Sequence, residues 1–276
     1  MHREAQRGLA PTTESRLHRQ AKADCTDIIA RVVARFYAPG AASGQRIALP
    51  DIEAQHLTRV LRLGPGATIR VFDGRGREFE ALVESAAKDE AVIVIGIQRV
   101  APAREPRMMI TLAQAVLKGD KMDHTIRDAV MMGAAAIQPL VTTRSEVTLA
   151  SLQRKHARDR WQRIAISSAK QCGRAVVPPV LEPLEFDDVV DADSIGSAFM
   201  LVEPHAAEKV MPLALLDADI PVEASIFTGP EGGWTPEEIE RGGAVAHLVT
   251  LGTRTFRADA MAVVALAAFF TLWKEF

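Results

Sequence analysis

Two short glycine-bearing segments, Gly229-Pro230-Glu231-Gly232-Gly233 and Leu251-Gly252-Thr253-Arg254, constrain this chain more than any other feature. Each follows a strand-like run, 224–228 in the first case, and each opens onto a helical pattern. Two such loops about twenty residues apart suit the carboxyl edge of a parallel sheet, where small molecules bind. Gly232 and Gly233 lack a Cβ, so their backbone N–H groups can approach a ligand closely. Thr235, Pro236 and Glu238 read as N-cap, first helical residue and capping-box partner, which starts a helix there. No Gly-Lys-Ser/Thr closes the first loop and it does not follow GxGxxG, so a phosphate-rich cofactor is not indicated. A single glycine turn is more often structural than ligand-binding; the second loop tips the balance toward a cofactor site.

The rest of the chain divides by its punctuation. At 276 residues, 48% hydrophobic and 25% charged, it is long enough for two globular domains. Pro102 and Pro106 mark a linker at 101–107, because neither proline sits comfortably inside an element. Over 107–276, strands and helices alternate: strand 108–117, helix 120–132 ended by Gly133, strand 135–141, helix 154–172, strand 198–202, helix 206–216 and the two loop-bearing strands. Such alternation predicts an α/β domain with a parallel sheet. Over 34–100, short runs at 68–72 and 78–83 lie between Gly64-Pro65-Gly66 and Asp73-Gly74 turns, with one amphipathic helix at 51–63. The spacing predicts a small β-barrel. His56, Arg59 and Arg62 stand on that helix, where a solvated face is a simpler reading than an RNA contact. Residues 1–33 mix both signs of charge without the apolar core of a secretory signal, and read as a flexible extension.

Charge and cysteine usage exclude several classes. A formal net charge of −2 rules out a uniformly basic coat, so RNA contacts would come from local patches. Cys25 and Cys172 belong to no CxxC or Cys/His cluster, so neither a disulfide scaffold nor a metal site is indicated and a reduced, cytoplasmic setting fits. The run 260–273 is apolar on nearly every side, yet falls short of the roughly 20 residues that cross a bilayer. It should be buried in protein, with a subunit interface as the attractive place. There is no GxSxG elbow and no HExxH, which disfavours hydrolases.

The pair GPEGGWTPEEIE and LGTRTFRADA resembles the cofactor signature of the SPOUT methyltransferases, and specifically the family that methylates N3 of a uridine in 16S ribosomal RNA. The resemblance covers nearly everything from Arg35 onward. It implies a PUA-like RNA-binding domain over 34–100, then a SPOUT α/β domain over 107–276 with a parallel sheet and a trefoil knot, in a homodimer. It implies S-adenosyl-L-methionine as cofactor, held by Gly229, Pro230, Glu231, Gly232 and Gly233 of the first loop. Leu251, Gly252, Thr253 and Phe256 of the second loop join them, with Leu201 from a neighbouring strand. Arg254 and Arg257 match the two arginines of the second motif, and Asp259 stands where the family usually has Glu; all three are implied in catalysis. Lys118, Lys121, Arg144, Lys170 and Arg174 fall in segments that match the family and are the implied RNA contacts, the partner being 16S ribosomal RNA in the small subunit. Two alternatives remain at this point: methylation of another RNA atom such as a ribose 2′-oxygen, and an RNA-binding assembly factor with weakened catalysis, motivated by Asp259 and by Met131 in place of Glu.

Overall fold

The computed structural model describes residues 33–87, 90–99, 102–192, 196–216 and 220–275. The expected extension therefore lies, over residues 1–32, outside the described residues. The first sheet holds β1 (Arg35–Tyr37), β2 (Arg46–Ala48), β3 (Thr68–Phe72), β4 (Glu78–Ala87) and β5 (Glu90–Arg99), in the order β1-β3-β4-β5-β2. Its pairings are antiparallel except for β1 beside β3. In β3 the alternation is visible directly: Ile69 and Val71 are buried, Thr68 and Arg70 exposed, as a sheet with one solvated face requires. The expected barrel is instead an open order with β1 and β2 at its ends, and no pairing joins those two strands among the described residues. The helix expected at 51–63 is shorter: α1 (Asp51–Gln55) runs into a π-helical turn (His56–Val60), and Arg62 at φ 53° takes the chain out of helical geometry.

The second sheet is wholly parallel. Its strands are β6 (Met109–Ala115), β7 (Ala136–Val141), β8 (Leu184–Glu185), β9 (Ser197–Leu201), β10 (Met211–Pro212), β11 (Glu223–Thr228) and β12 (His247–Thr250), in the order β10-β12-β9-β11-β6-β7-β8. Successive residues feed opposite faces. Leu112, Phe199 and Ile226 pack on one side with Trp161, Phe269 and Trp273, while Ala113, Met200 and Phe227 pack on the other with Phe186 and Trp234. Burial on both faces is why these strands read as continuous apolar runs. The chain builds outward from β6 through β7 to β8, then crosses to β9, and β11 fills the gap between β6 and β9. That reversal creates the crevice at the strands' carboxyl ends.

The helices are α2 (Lys121–Met132), α3 (Leu149–Arg154), α4 (Ala157–Cys172), α5 (Phe186–Val190), α6 (Pro236–Val245) and α7 (Ala258–Leu272). Gly133 ends α2 at φ 107°, the left-handed stop that glycine allows. Asp120 precedes α2 but makes no side-chain cap. The helix expected at 154–172 is α4, which starts three residues later; the short α3, capped by Thr148, precedes it, and His156 at φ 48° separates the two. The helix expected at 206–216 is absent. Turns lead instead into β10 and a 3-10 turn (Leu213–Leu215), since Pro212 has no N–H to continue a helix.

Where the two sheets meet, cations satisfy helix carboxyl ends. Arg35 donates to the carbonyls of Ala169, Lys170 and Arg174 at 2.8–3.1 Å and pairs with Glu78 at 3.0 Å. Arg174 donates to the carbonyls of Val130 and Ala134 at the end of α2 and to Glu105 at 2.6 Å. Lys170 lies 2.7 Å from Glu53 and 2.9 Å from His56 Nδ1, over the Phe36 ring. Burial, then the Lys170 charge, push the His56 imidazole below its usual range. Lys170 and Arg174 are two of the expected RNA contacts. Arg174, only 4% exposed, and Lys170 are committed to internal ion pairs and orphan carbonyls, which a phosphate would have to displace. Replacing Arg174 with Met should therefore act on stability: loss of about 3 kcal/mol in urea unfolding is expected, since Glu105 and two carbonyls lose their donor. An unchanged midpoint would show the pair to be dispensable.

Candidate active site

A cavity of about 400 Å³ opens at the carboxyl ends of β9, β11 and β12. Leu201, Gly229, Pro230, Glu231, Gly233, Leu251 and Phe256 line it, together with Arg254, Arg257 and Asp259. Of the expected cofactor set, Gly232, Gly252 and Thr253 do not. Gly232 faces Arg144: a Cβ there would lie 3.1 Å from Arg144 Cβ and 3.3 Å from its Cδ. Gly252 has open space around it but sits at φ 106°, so what it supplies is backbone conformation. Sequence reasoning missed Val202, Glu203, Pro204, Trp234 and Met261 on the wall. Glu203 and Pro204 follow β9 at the same sheet edge as the two glycine loops, a third strand end that the alternation pattern alone pointed to.

The first loop is held from three sides. Trp234 folds back so that its Nε1 donates to the Leu201 carbonyl at 2.9 Å, and a Cβ on Gly229 would come within 3.1 Å of the indole. Glu231 Oε1 accepts from the Lys118 N–H at 3.2 Å and from Lys121 Nζ at 3.0 Å. Lys121, expected on the RNA side, thus belongs to the cavity wall, while the Lys118 ammonium pairs with Glu146 at 2.7 Å. Arg144 Nη1 donates to the carbonyls of Gly232 at 2.8 Å and Trp234 at 3.1 Å. The capping box forms as expected: Thr235 Oγ1 accepts from the Glu238 N–H, and Glu238 Oε2 accepts from the Thr235 N–H at 2.8 Å. Glu238 has a second task, since its Oε1 accepts from the Thr143 N–H at 2.8 Å.

The second loop brings the expected charged residues together. Arg257 donates to both oxygens of Asp259, Nε to Oδ1 at 3.1 Å and Nη2 to Oδ2 at 2.9 Å. That fork holds the Asp259 carboxyl below the usual range against the opposing effect of burial. Leu201, Val202, Leu251, Phe256 and Met261 give the cavity an apolar wall, and Lys121, Glu203, Glu231, Arg254, Arg257 and Asp259 give it a charged rim. A cofactor with one flat apolar end and one zwitterionic end fits such a division. Among the described residues no His/Cys/Asp/Glu group could hold a metal ion, and no helix is long and apolar enough to cross a membrane.

Comparison with known proteins agrees with this geometry. Residues 104–270 match the RNA methyltransferase domain family and residues 49–96 match the RNA methyltransferase PUA domain, so the parallel sheet and the open sheet are those of a PUA-bearing RNA methyltransferase. Ribosomal RNA small subunit methyltransferase E from Synechocystis sp. is 34% identical over 80% of this chain and 71% of its own length. The Bacillus subtilis protein of that name is 28% identical over 78% and 86%. The crystal structure of the Neisseria gonorrhoeae protein of that name, bound to S-adenosyl methionine, superposes with a TM-score of 0.78 at 34% identity, covering 87% of this chain and 98% of that one. The chain belongs to the ribosomal RNA small subunit methyltransferase E family.

The Glu231 contact gives a test of how the first loop is held. Burial alone would raise its carboxyl, but donation from Lys121 and from the N–H groups of Glu231 and Lys118 outweighs it, and the group titrates below its ordinary value. A depressed folded value means the contact stabilises the loop at pH above the unfolded value and releases it as pH falls through the folded one. In Lys121→Ala the Glu231 carboxyl should titrate higher, read by ¹³C NMR of the side chain. An unmoved titration would show that Lys121 does not hold the loop.

Proposed function

We propose that this chain is an S-adenosylmethionine-dependent methyltransferase that acts on N3 of a uridine in 16S ribosomal RNA of the small subunit, in the cytoplasm and as a homodimer. The observation that carries this is the cavity formed where two glycine loops meet at the edge of a parallel sheet, the fold it shares with the cofactor-bound Neisseria gonorrhoeae structure. The chain fits the cofactor: the apolar wall suits adenine, and the loop backbone is bare at Gly229 and Gly233. When bound, S-adenosylmethionine supplies an electrophilic methyl group on a sulfonium. The assembly-factor alternative is not favoured: the relatives are named methyltransferases, one of them bound to S-adenosyl methionine, and Arg257 with the shortened Asp259 still forms a two-point pair. Mass spectrometry of 16S ribosomal RNA from a deletion strain should show one missing N3-methyluridine; loss of a ribose 2′-O-methyl instead would move the acceptor.

What the residues contribute follows from the acceptor's chemistry. Uridine N3 carries a proton in its neutral form, so the proton must leave and the negative charge shared with O2 and O4 must be stabilised. Arg257 stays protonated, stands at the start of α7 on the cavity rim, and is 77% exposed at its side chain, which leaves it accessible to RNA while Asp259 fixes its direction. Arg254 lines the same rim, and Lys118 lies at its edge. Arg257→Ala should lower single-turnover methylation of purified small subunits by about 10²–10³-fold with cofactor affinity little changed. A near-parent rate would reduce the Arg257–Asp259 fork to a helix-start ion pair, worth about 0–1 kcal/mol.

Support for the dimer comes from α7. Ala262, Ala265, Leu266, Phe269 and Phe270 are buried within the chain itself. The opposite face presents Ala260, Val264 and Ala267 partly exposed, an apolar surface that water does not favour. The trefoil knot belongs to the same proposal, supported by β12 entering the sheet between β9 and β10, away from β11, before α7 returns against α2 and β11. Val264→Glu, unlike a change at the fully buried Ala265, should leave the fold intact and convert a sedimenting dimer to monomer at low micromolar concentration. A parent chain that is monomeric and active would overturn the dimer.

A further inference from the structure

The segment after β7, Thr143-Arg144-Ser145, carries Arg144, one of the implied RNA contacts, yet its bonds run to the first glycine loop. We propose that Arg144 is a positioning residue for the cofactor loop: its guanidinium holds the carbonyls of Gly232 and Trp234 in the turn that carries Gly229 and Gly233 to the cavity. The inference rests on the cofactor assignment made above.

Three observations carry it. Arg144 Nη1 donates to both carbonyls, at 2.8 and 3.1 Å, and a charged donor makes the stronger kind of hydrogen bond. The backbone bond that closes the turn it grips is the Gly233 N–H on the Pro230 carbonyl at 3.0 Å, and Arg144 adds support from outside. Next, the Arg144 stem occupies the space over Gly232, where a Cβ would stand 3.1, 3.3 and 3.7 Å from Cβ, Cδ and Cγ. The missing side chain at 232 thus leaves room for the Arg144 stem. Finally, the segment that presents Arg144 is itself fixed. The Thr143 N–H is bound by Glu238 at 2.8 Å, and Ser145 Oγ accepts from the Thr142 N–H at 3.1 Å and lies 2.9 Å from its hydroxyl. A side chain launched from a locked backbone loses little further freedom in gripping the loop. Trp234 transmits the effect to the cavity wall, because its carbonyl is held by Arg144 and its indole by the Leu201 carbonyl.

The test separates a loop strut from a phosphate contact. S-adenosylmethionine is titrated calorimetrically into the full chain, into Arg144→Ala and into Arg144→Lys, with small-subunit affinity, steady-state rates and thermal unfolding measured beside it. Expected for Arg144→Ala is cofactor affinity weakened about tenfold, a matching rise in KM for the cofactor, and kcat at saturating cofactor and small-subunit affinity each within about threefold of the parent. Arg144→Lys, which keeps the stem and one cationic donor, should recover part of the loss. Should the alanine variant unfold, the lysine variant carries the same comparison with a smaller shift. Cofactor affinity unchanged within twofold, with small-subunit affinity reduced, would overturn the proposal and make Arg144 an RNA contact. Failure of the parent itself to bind the cofactor would instead overturn the functional assignment, and this inference with it.

Discussion

The glycine loop after β11 has little shape of its own, and the site depends on its being held from outside. A turn built from Gly, Pro, Glu, Gly and Gly brings few side chains to bury and carries high backbone entropy. Each support comes from a different strand end: Lys118 and Lys121 after β6, Arg144 after β7, Leu201 at the end of β9. The parallel sheet is what makes this possible, since it brings all four strand ends to one edge. A loop ordered before a ligand arrives leaves less entropy to be lost on binding.

The junction between the two sheets follows a related logic with opposite chemistry. The last carbonyls of a helix have no partner within it, and carry the negative end of its dipole. Here Arg35 donates to the end of α4 and Arg174 to the end of α2, while they pair with Glu78 and Glu105. Bases that look surplus in a chain of formal net charge −2 are therefore partly structural. Around the cavity mouth, Lys121, Arg254 and Arg257 stand on the charged rim.

The cavity keeps its carboxylates under control by pairing them. Glu231 is bound by Lys121 and Asp259 by Arg257, and both carboxyls are held below their ordinary values. Pairing of this kind fixes the direction of each carboxylate on the cavity wall. The shortened Asp259 fits this role: at a spacing of two residues it still reaches both nitrogens of the Arg257 fork.

Local features that depend on neighbours in sequence were legible in the residues alone. The Thr235–Glu238 capping box, the stop at Gly133, the apolar parallel strands and the two glycine loops all follow from backbone preferences and short-range bonds. Pro212 inside the run 206–216 was legible too, and its missing N–H is why that helix does not form. What no window of sequence contains is which distant groups meet. Lys170 and Arg174 sit in a strongly basic helix and its end, and only tertiary packing brings Lys170 to Glu53 on α1 and Arg174 to Glu105 in the segment before β6. Gly232 reads as bare for a ligand until Arg144, 88 residues away in sequence, is seen above it. Local propensity is encoded residue by residue, whereas the direction a long charged side chain takes is decided by whichever buried polar group it can satisfy, and tertiary packing alone places that group within reach.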